Sequence, residues 1–170
     1  MQIKEVRPIN FLYFRTMTKV GELGRFVGII ARELYRDAAL NDLEVTGPVY
    51  WRYFGFDGNE STEFILEIAV PIGEMPEEYG GKFSLKRSKP FFCLSTIHEG
   101  SWYDIPKSYG KLMAFMQAQQ LMPGTENREL YINIDFNNPE ANSTEIQIGI
   151  SEESFNSVGV PIAEVALARS

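Results

Sequence analysis

Glu67 and Glu145 sit in matching segments of one chain. Glu67 opens Glu67-Ile68-Ala69-Val70-Pro71-Ile72, and Glu145 opens Glu145-Ile146-Gln147-Ile148-Gly149-Ile150, 78 positions later. Both segments read as strands, whose side chains alternate between two faces. In the second, Ile146, Ile148 and Ile150 share one face, and Glu145, Gln147 and Gly149 the other. In the first, Phe64, Leu66, Ile68, Val70 and Ile72 oppose Ile65, Glu67, Ala69 and Pro71. Each half thus offers one acid on the face that its apolar set does not use. The neighbours there (Ile65, Ala69, Gly149) are small or apolar, unlike those of a solvated carboxylate; two water-facing glutamates are the alternative. A carboxylate buried without a partner is costly, so it protonates or takes a cation. Capture of a cationic small molecule is one chemistry this allows. Acid–base hydrolysis by paired acids is the other.

Aromatic side chains gather in the same segments. One face of the strand Val49 to Phe56 holds Trp51 and Tyr53, the other Tyr50 and Phe54, and parity leaves open which points inward. In Glu129 to Phe136, the residues Leu130, Ile132, Ile134 and Phe136 read as core, which leaves Tyr131, Asn133 and Asp135 on the bare face. Trp102 follows the turn His98-Glu99-Gly100-Ser101. A ring face attracts a cation by roughly 0.5–2 kcal/mol. Trp51, Tyr53, Trp102 and Tyr131 around an acid would cage a lipophilic cation, with ordinary packing as the alternative. His98 and Ser101 do not form a recognisable nucleophile pair, since Gly-x-Ser-x-Gly is absent. Position 102 is Trp, so His98-Glu99 does not begin a His-Glu-x-x-His zinc motif, and no phosphate-binding glycine motif occurs. A single Cys and a single His exclude zinc sites that need several such ligands. No metal or other cofactor is implied.

The elements that carry these residues repeat. Phe11-Leu12-Tyr13-Phe14-Arg15-Thr16 and Phe91-Phe92-Cys93-Leu94-Ser95-Thr96 are aromatic-rich strands 80 positions apart. Each precedes a helical stripe: Leu23, Val27, Ile30, Leu34 and Ala38, then Ile105, Tyr109, Leu112 and Met116. Asp104 reads as the N-cap of the second helix and Gly124, with Pro123, as its stop. Two strands follow each helix: Val49 to Phe56 with Glu63 to Ile72, then Glu129 to Phe136 with Thr144 to Ile150. Asp57-Gly58-Asn59 signals a hairpin. The expected class is α+β: two strand–helix–strand–strand modules with antiparallel sheets, pseudo-twofold symmetry and a central ligand cleft. One helix covers one face of each module, so the bare faces are expected to meet. The domain spans 1–150, in halves of about 1–72 and 83–150 joined by a linker at 73–82. A weak strand is expected near Phe83–Leu85. Residues 151–170 form an extension, with Val158 to Ala166 as an edge strand or packed tail.

Composition narrows the partners. The 170 residues are 44% hydrophobic and 23% charged, an ordinary globular balance. The net charge is −7 with no basic cluster, a poor footprint for direct nucleic-acid binding and a favourable field for cations. No apolar run approaches the ~20 residues of a membrane span, and no basic-then-apolar leader opens the chain. A reduced, cytoplasmic setting is expected, away from membranes.

Four pieces together resemble the GyrI-like effector-binding domain, which also ends AraC- and MerR-type regulators. They are Gly47-Pro48 before the strand with Tyr53; Glu67 to Ile72; His98-Glu99-Gly100-Ser101-Trp102 before a helix; and Arg128-Glu129-Leu130-Tyr131 leading to Thr144-Glu145-Ile146. The resemblance implies a stand-alone, polyspecific binder of lipophilic, often cationic aromatic compounds. It places Glu145 on the cation and Glu67 as the second acid, with Trp102, Tyr131, Tyr53 and Trp51 as ring faces. Some members are similar to hydrolases that open cyclopropane rings of DNA-alkylating compounds, and there Glu67 or Glu145 would activate water. A separate regulator, or DNA gyrase, for which the family is named, would be a protein partner. Two departures stand out: Gly149 where Pro is common and Trp102 where Tyr is common.

Overall fold

The computed structural model describes residues 1–158. Its elements are β1 (Gln2–Val6), β2 (Asn10–Thr18), α1 (Ile29–Leu40), β3 (Tyr50–Phe54), β4 (Phe64–Ile72), β5 (Ser84–Arg87), β6 (Phe91–Glu99), α2 (Ile105–Ala118), β7 (Pro123–Asn133) and β8 (Ser143–Ile150). All eight strands form one antiparallel sheet, ordered β1-β6-β8-β7-β3-β4-β2-β5. The duplication is present as expected, in an α+β fold.

The halves join edge to edge, β3 beside β7, rather than face to face. Trp51 lies directly opposite Glu129 in that pairing. These two are 78 positions apart, the offset that also relates Tyr53 to Tyr131 and Glu67 to Glu145. The pseudo-twofold axis therefore passes between Trp51 and Glu129. The outer strands cross over: β1, ahead of β2, pairs with β6 of the second half, and β5, ahead of β6, pairs with β2 of the first. The linker thus leads into a sheet edge. Tyr79 donates to Asp37 of α1, and the Lys82 amide donates to the same carboxylate at 3.1 Å, which ties the linker to the first helix.

Both helices lie on one face. Leu34 and Ala38 of α1 pack on Leu12, Trp51, Leu66, Ile68 and Val70, while Leu112 and Met116 of α2 pack on Leu94, Ile146, Ile148 and Ile150. The first helix is shorter than its apolar stripe. Val20–Phe26 is a 3-10 turn, and Gly28 at φ 75° breaks the chain direction before α1 begins. The strand expected to run to Phe136 ends at Asn133, after an irregularity between Tyr131 and Asn133. Ile132, Ile134 and Phe136 are therefore exposed, Phe136 to 64%, and are not core.

The sheet curls. Only Arg7, Pro8 and Ile9 separate β1 from β2, so Val6 and Asn10 are at most about 14 Å apart. Their strands occupy the first and seventh places of the sheet, about 29 Å apart if it were flat. The helix-free face is the inside of this curl, which is why Phe11, Tyr50, Ala69 and Leu130 are buried there without a helix above them. The bare faces do approach, but within one continuous sheet.

Gly149 belongs to this geometry. A Cβ there would stand 2.2 Å from the Glu126 carbonyl oxygen, so neither proline nor alanine fits where β7 crosses so close. Cys93, on the inner face of neighbouring β6, is buried, and burial pushes its thiol up to about 12. Native protein should leave Cys93 unmodified by a thiol-reactive disulfide reagent, and urea-unfolded protein should react at once. Rapid labelling of the folded domain would contradict this placement.

Both helices end alike. Asp42 (φ 53°) and Gln120 (φ 55°), again 78 apart, adopt the left-handed conformation. The Leu43 amide donates to the Ala38 carbonyl and the Leu121 amide to the Met116 carbonyl, each at 2.9 Å, which closes a Schellman motif. The stop expected at Gly124 is thus supplied by Gln120, and Pro123 and Gly124 begin β7 instead. Left-handed backbone costs a non-glycine residue about 1–2 kcal/mol, part of which glycine gives back as unfolded-state entropy. Gln120→Gly should therefore raise stability by about 1 kcal/mol in urea melts; a loss would show that the Gln120 side chain holds the cap.

The tail begins as a helical turn over 152–158, with Phe155 stacked on Phe92 at 4.7 Å and Ser154 Oγ accepting from the Met122 amide at 2.8 Å. Apart from Val158, the strand or tail expected over 158–166 lies outside the described residues. Among those described, no helix is long and apolar enough to cross a membrane.

Candidate functional site

The centre of the helix-bearing face is built on Glu129. Its partner in β8 is Ile146 and its partner in β3 is Trp51, so it points to the side of both helices. It is 7% exposed. Three phenols donate to its carboxylate: Tyr109 of α2 to Oε1 at 2.8 Å, Tyr53 of β3 to Oε2 at 3.2 Å, and Tyr131 of β7 to Oε2. Tyr53 and Tyr131 are repeat mates, so the pseudo-twofold brings equivalent hydroxyls onto one acid. Trp51 fills the position that mirrors Glu129.

Rings surround this acid. Tyr131 meets Trp51 edge-on at 6.0 Å and Trp102 at 5.4 Å. Trp102 meets Phe136 at 5.7 Å, and Tyr53 packs on Phe56 and Phe64. Burial pushes the Glu129 carboxyl above its usual value, while the three phenol hydrogen bonds and nearby His98 pull the other way. Burial, reinforced by the Glu129 charge, holds the phenols of Tyr53, Tyr109 and Tyr131 well above 10, so they remain donors. No Lys, Arg or His among the described residues forms a salt bridge with Glu129. The arrangement is an anionic centre in an aromatic setting, open in charge terms to a guest cation.

The inner face has the opposite character. Glu67, fully buried, is paired with Arg15 at 2.7 Å, Arg52 at 2.8 Å and Lys86. Arg52 continues to Glu126 at 2.8 Å, which also receives Arg128. Burial pushes Glu126 up, yet Arg52 and Arg128 hold it below its usual range. Glu145 is paired with Lys4 of β1 at 3.1 Å and accepts from the Gln147 amide.

No protein-family model matches the sequence, and no curated protein matches it. Solved structures do. The EcmrR C-terminal domain superposes with a TM-score of 0.68 at 18% identity, over 88% of this chain and 96% of that one. SAV2435, solved bound to tetraphenylphosphonium, gives 0.62 at 12% identity over 89% and 93%. A hydrolase encoded by lin2189 from Listeria innocua gives 0.62 at 14% identity over 88% and 91%. In the EcmrR–DNA complex the chain spans 56% of the EcmrR chain. The chain shares the fold of these structures, the duplicated α+β fold that the sequence resemblance implies.

Within this fold, the residues expected at the site divide between two faces. Trp51, Tyr53, Trp102 and Tyr131 come together on the helix side, and the open parity question at β3 resolves with Trp51 and Tyr53 facing the helices. Glu67 and Glu145 lie on the inner face, apart from those rings. Glu129 and Tyr109 were not among the expected site residues. One signal was available: Glu129 shares strand parity with Tyr131. Tyr109 belongs to the apolar stripe of α2, and only the packing of α2 on the sheet turns its hydroxyl to Glu129. Asn133 and Asp135 do not join the site, since Asn133 donates to the Ala141 carbonyl and Asp135 accepts from the Asn137 and Asn138 amides.

His98 is an anchor between β6 and α2. Its Nε2 lies 2.8 Å from the Ser101 carbonyl oxygen and its Nδ1 2.8 Å from Ser108 Oγ. Ser101 Oγ accepts from the Tyr103 amide, so the ring meets the backbone of Ser101 and not its hydroxyl. Asp104 makes no capping bond and pairs with Lys107 at 2.8 Å.

Proposed function

We propose that the protein binds lipophilic cations on the helix-bearing face, with Glu129 as the counter-charge and Trp51, Tyr53, Trp102 and Tyr131 as ring faces. The carrying observation is Glu129: a buried carboxylate whose hydrogen bonds among the described residues all come from neutral phenols. Three such bonds orient it and leave its charge uncompensated, so a cation gains more there than at an acid already paired. Glu145 and Glu67, which the sequence resemblance places on the ligand, already meet Lys4 and the Arg15–Arg52–Lys86 group. Their part in this proposal is to hold the curled sheet. That SAV2435 is known bound to tetraphenylphosphonium supports the ligand class. Titration with that cation, followed by quenching of tryptophan fluorescence, tests the reading; no binding at millimolar concentration would end it.

A second reading, hydrolysis of an electrophilic cyclopropane-type alkylator, draws support from the hydrolase among the similar structures. It is also supported by a carboxylate raised toward neutrality beside protonated phenols, which pairs a base with acids. Here Glu129 would take the proton of the attacking water as the C–O bond forms and the strained C–C bond breaks, and that proton would return to the electron pair released by ring opening. Incubation with such an alkylator separates the readings: a water adduct formed with turnover favours the enzyme, and an intact bound compound favours the binder.

A further inference from the structure

Two buried polar atoms on residues that flank Tyr131, the donor to Glu129, have no hydrogen-bond partner among the described residues. One is Trp102 Nε1, the other Thr144 Oγ1 on a residue that is 0% exposed. Both belong to residues next to Tyr131. The Trp102 ring stands 5.4 Å from the Tyr131 ring, and Thr144 is the residue directly opposite Tyr131 across β7 and β8. Tyr131 in turn donates to Glu129. A carboxylate without a cationic partner among the described residues, an unused donor and an unused hydroxyl therefore adjoin one tyrosine. An indole N–H can only donate, and a threonine hydroxyl donates or accepts. Buried groups of this kind are normally satisfied, and one left open in a recognition site discriminates strongly between guests that fill it and guests that do not.

We infer that this face selects cations that also carry a hydrogen-bond acceptor oxygen, such as a carbonyl or ether, held by Trp102 Nε1 and the Thr144 hydroxyl while Glu129 meets the charge. The inference rests on the cation-binding reading and adds to it a preference within the class. The ring wall alone would take a purely hydrocarbon cation. The open donors favour an amphipathic one whose oxygen lies a few bonds from the charged centre. Trp102 thus has two tasks, a ring face toward the cation and an N–H toward the acceptor. Tyrosine at that position would offer a hydroxyl from a smaller ring.

The test uses two matched cations, phenacyltrimethylammonium and phenethyltrimethylammonium, which differ by one carbonyl. Calorimetry on the wild-type chain should show the carbonyl compound binding about 10-fold more tightly, the scale of one hydrogen bond in a buried site. Trp102→Phe keeps a ring and removes the N–H, and Thr144→Val keeps the shape and removes the hydroxyl. Each should bring the ratio between the two cations toward 1, with thermal melts confirming that the variants fold. Equal affinities in the wild type, as when a fixed water satisfies both groups, would overturn the inference and leave cation binding standing if Glu129→Gln weakens both compounds. An unchanged ratio in both variants would overturn it too. Should neither cation bind the wild type, the cation-binding reading itself fails and takes the inference with it. If Trp102→Phe does not fold, the wild-type ratio and Thr144→Val still decide.

Discussion

Glu129→Gln should weaken tetraphenylphosphonium binding by about 1–3 kcal/mol, the worth of a buried charge contact. Glutamine keeps an acceptor oxygen for the phenols and removes a buried charge, so the variant should fold, and its melt at neutral pH should lie near that of the parent. The same acid sets a pH dependence. Its carboxyl titrates above the usual 4.5, so as pH falls through that raised value the site loses its charge and the cation its partner. Stability of the free protein moves the other way. The native state holds a proton that the unfolded chain has released, so this group's contribution to stability declines as pH rises from 4.5 through the raised value. Glutamine should remove both dependences. If affinity in the variant matches that of the parent across pH, the charge comes from elsewhere.

The largest stability effect is expected at Glu67. Removing one member of a buried ion pair leaves its partner's charge stranded, at about 3–5 kcal/mol. Glu67→Ala removes the one carboxylate shared by Arg15, Arg52 and Lys86, leaving the buried Arg52, 4% exposed, with Glu126 alone. Glu145→Ala breaks a single pair with the partly exposed Lys4 and should cost about 1 kcal/mol or less. Urea denaturation of the two variants measures the difference, and equal losses would refute the contrast drawn between these repeat mates. Variants that remain folded should keep their affinity for tetraphenylphosphonium, because both acids face away from the aromatic site.

The repeat was legible because it is local. A strand, a helical stripe and two further strands recur at a nearly constant offset, and each unit declares itself through side-chain period and turn residues. The ring residues Trp51, Tyr53 and Tyr131 could be named as candidates because strand alternation groups them, and Trp102 because it follows a tight turn. Alternation also assigned Glu67 and Glu145 correctly to the faces away from the helices. It could not say what those faces become. Arg15, Arg52 and Lys86 reach Glu67 from β2, β3 and β5, and Lys4 reaches Glu145 from β1, through pairings between distant segments. The strand end at Phe136 was misjudged for a related reason: the irregularity after Tyr131 resets the alternation on which the apolar run depends.

By itself, then, the sequence determined the α+β class, the doubled module and the acid-and-ring composition of each half, since periodicity and turn chemistry act over a few residues. Only the tertiary structure decided which acid stands among the rings. That choice follows from the pairing of β3 with β7, which sets Trp51 against Glu129 on the pseudo-twofold axis and turns three tyrosines from three different elements onto one carboxylate. Side-chain alternation tells which residues share a face but not what lies across it, and the charge state of a buried glutamate depends on its nearest donors, which here come from segments far apart in the chain.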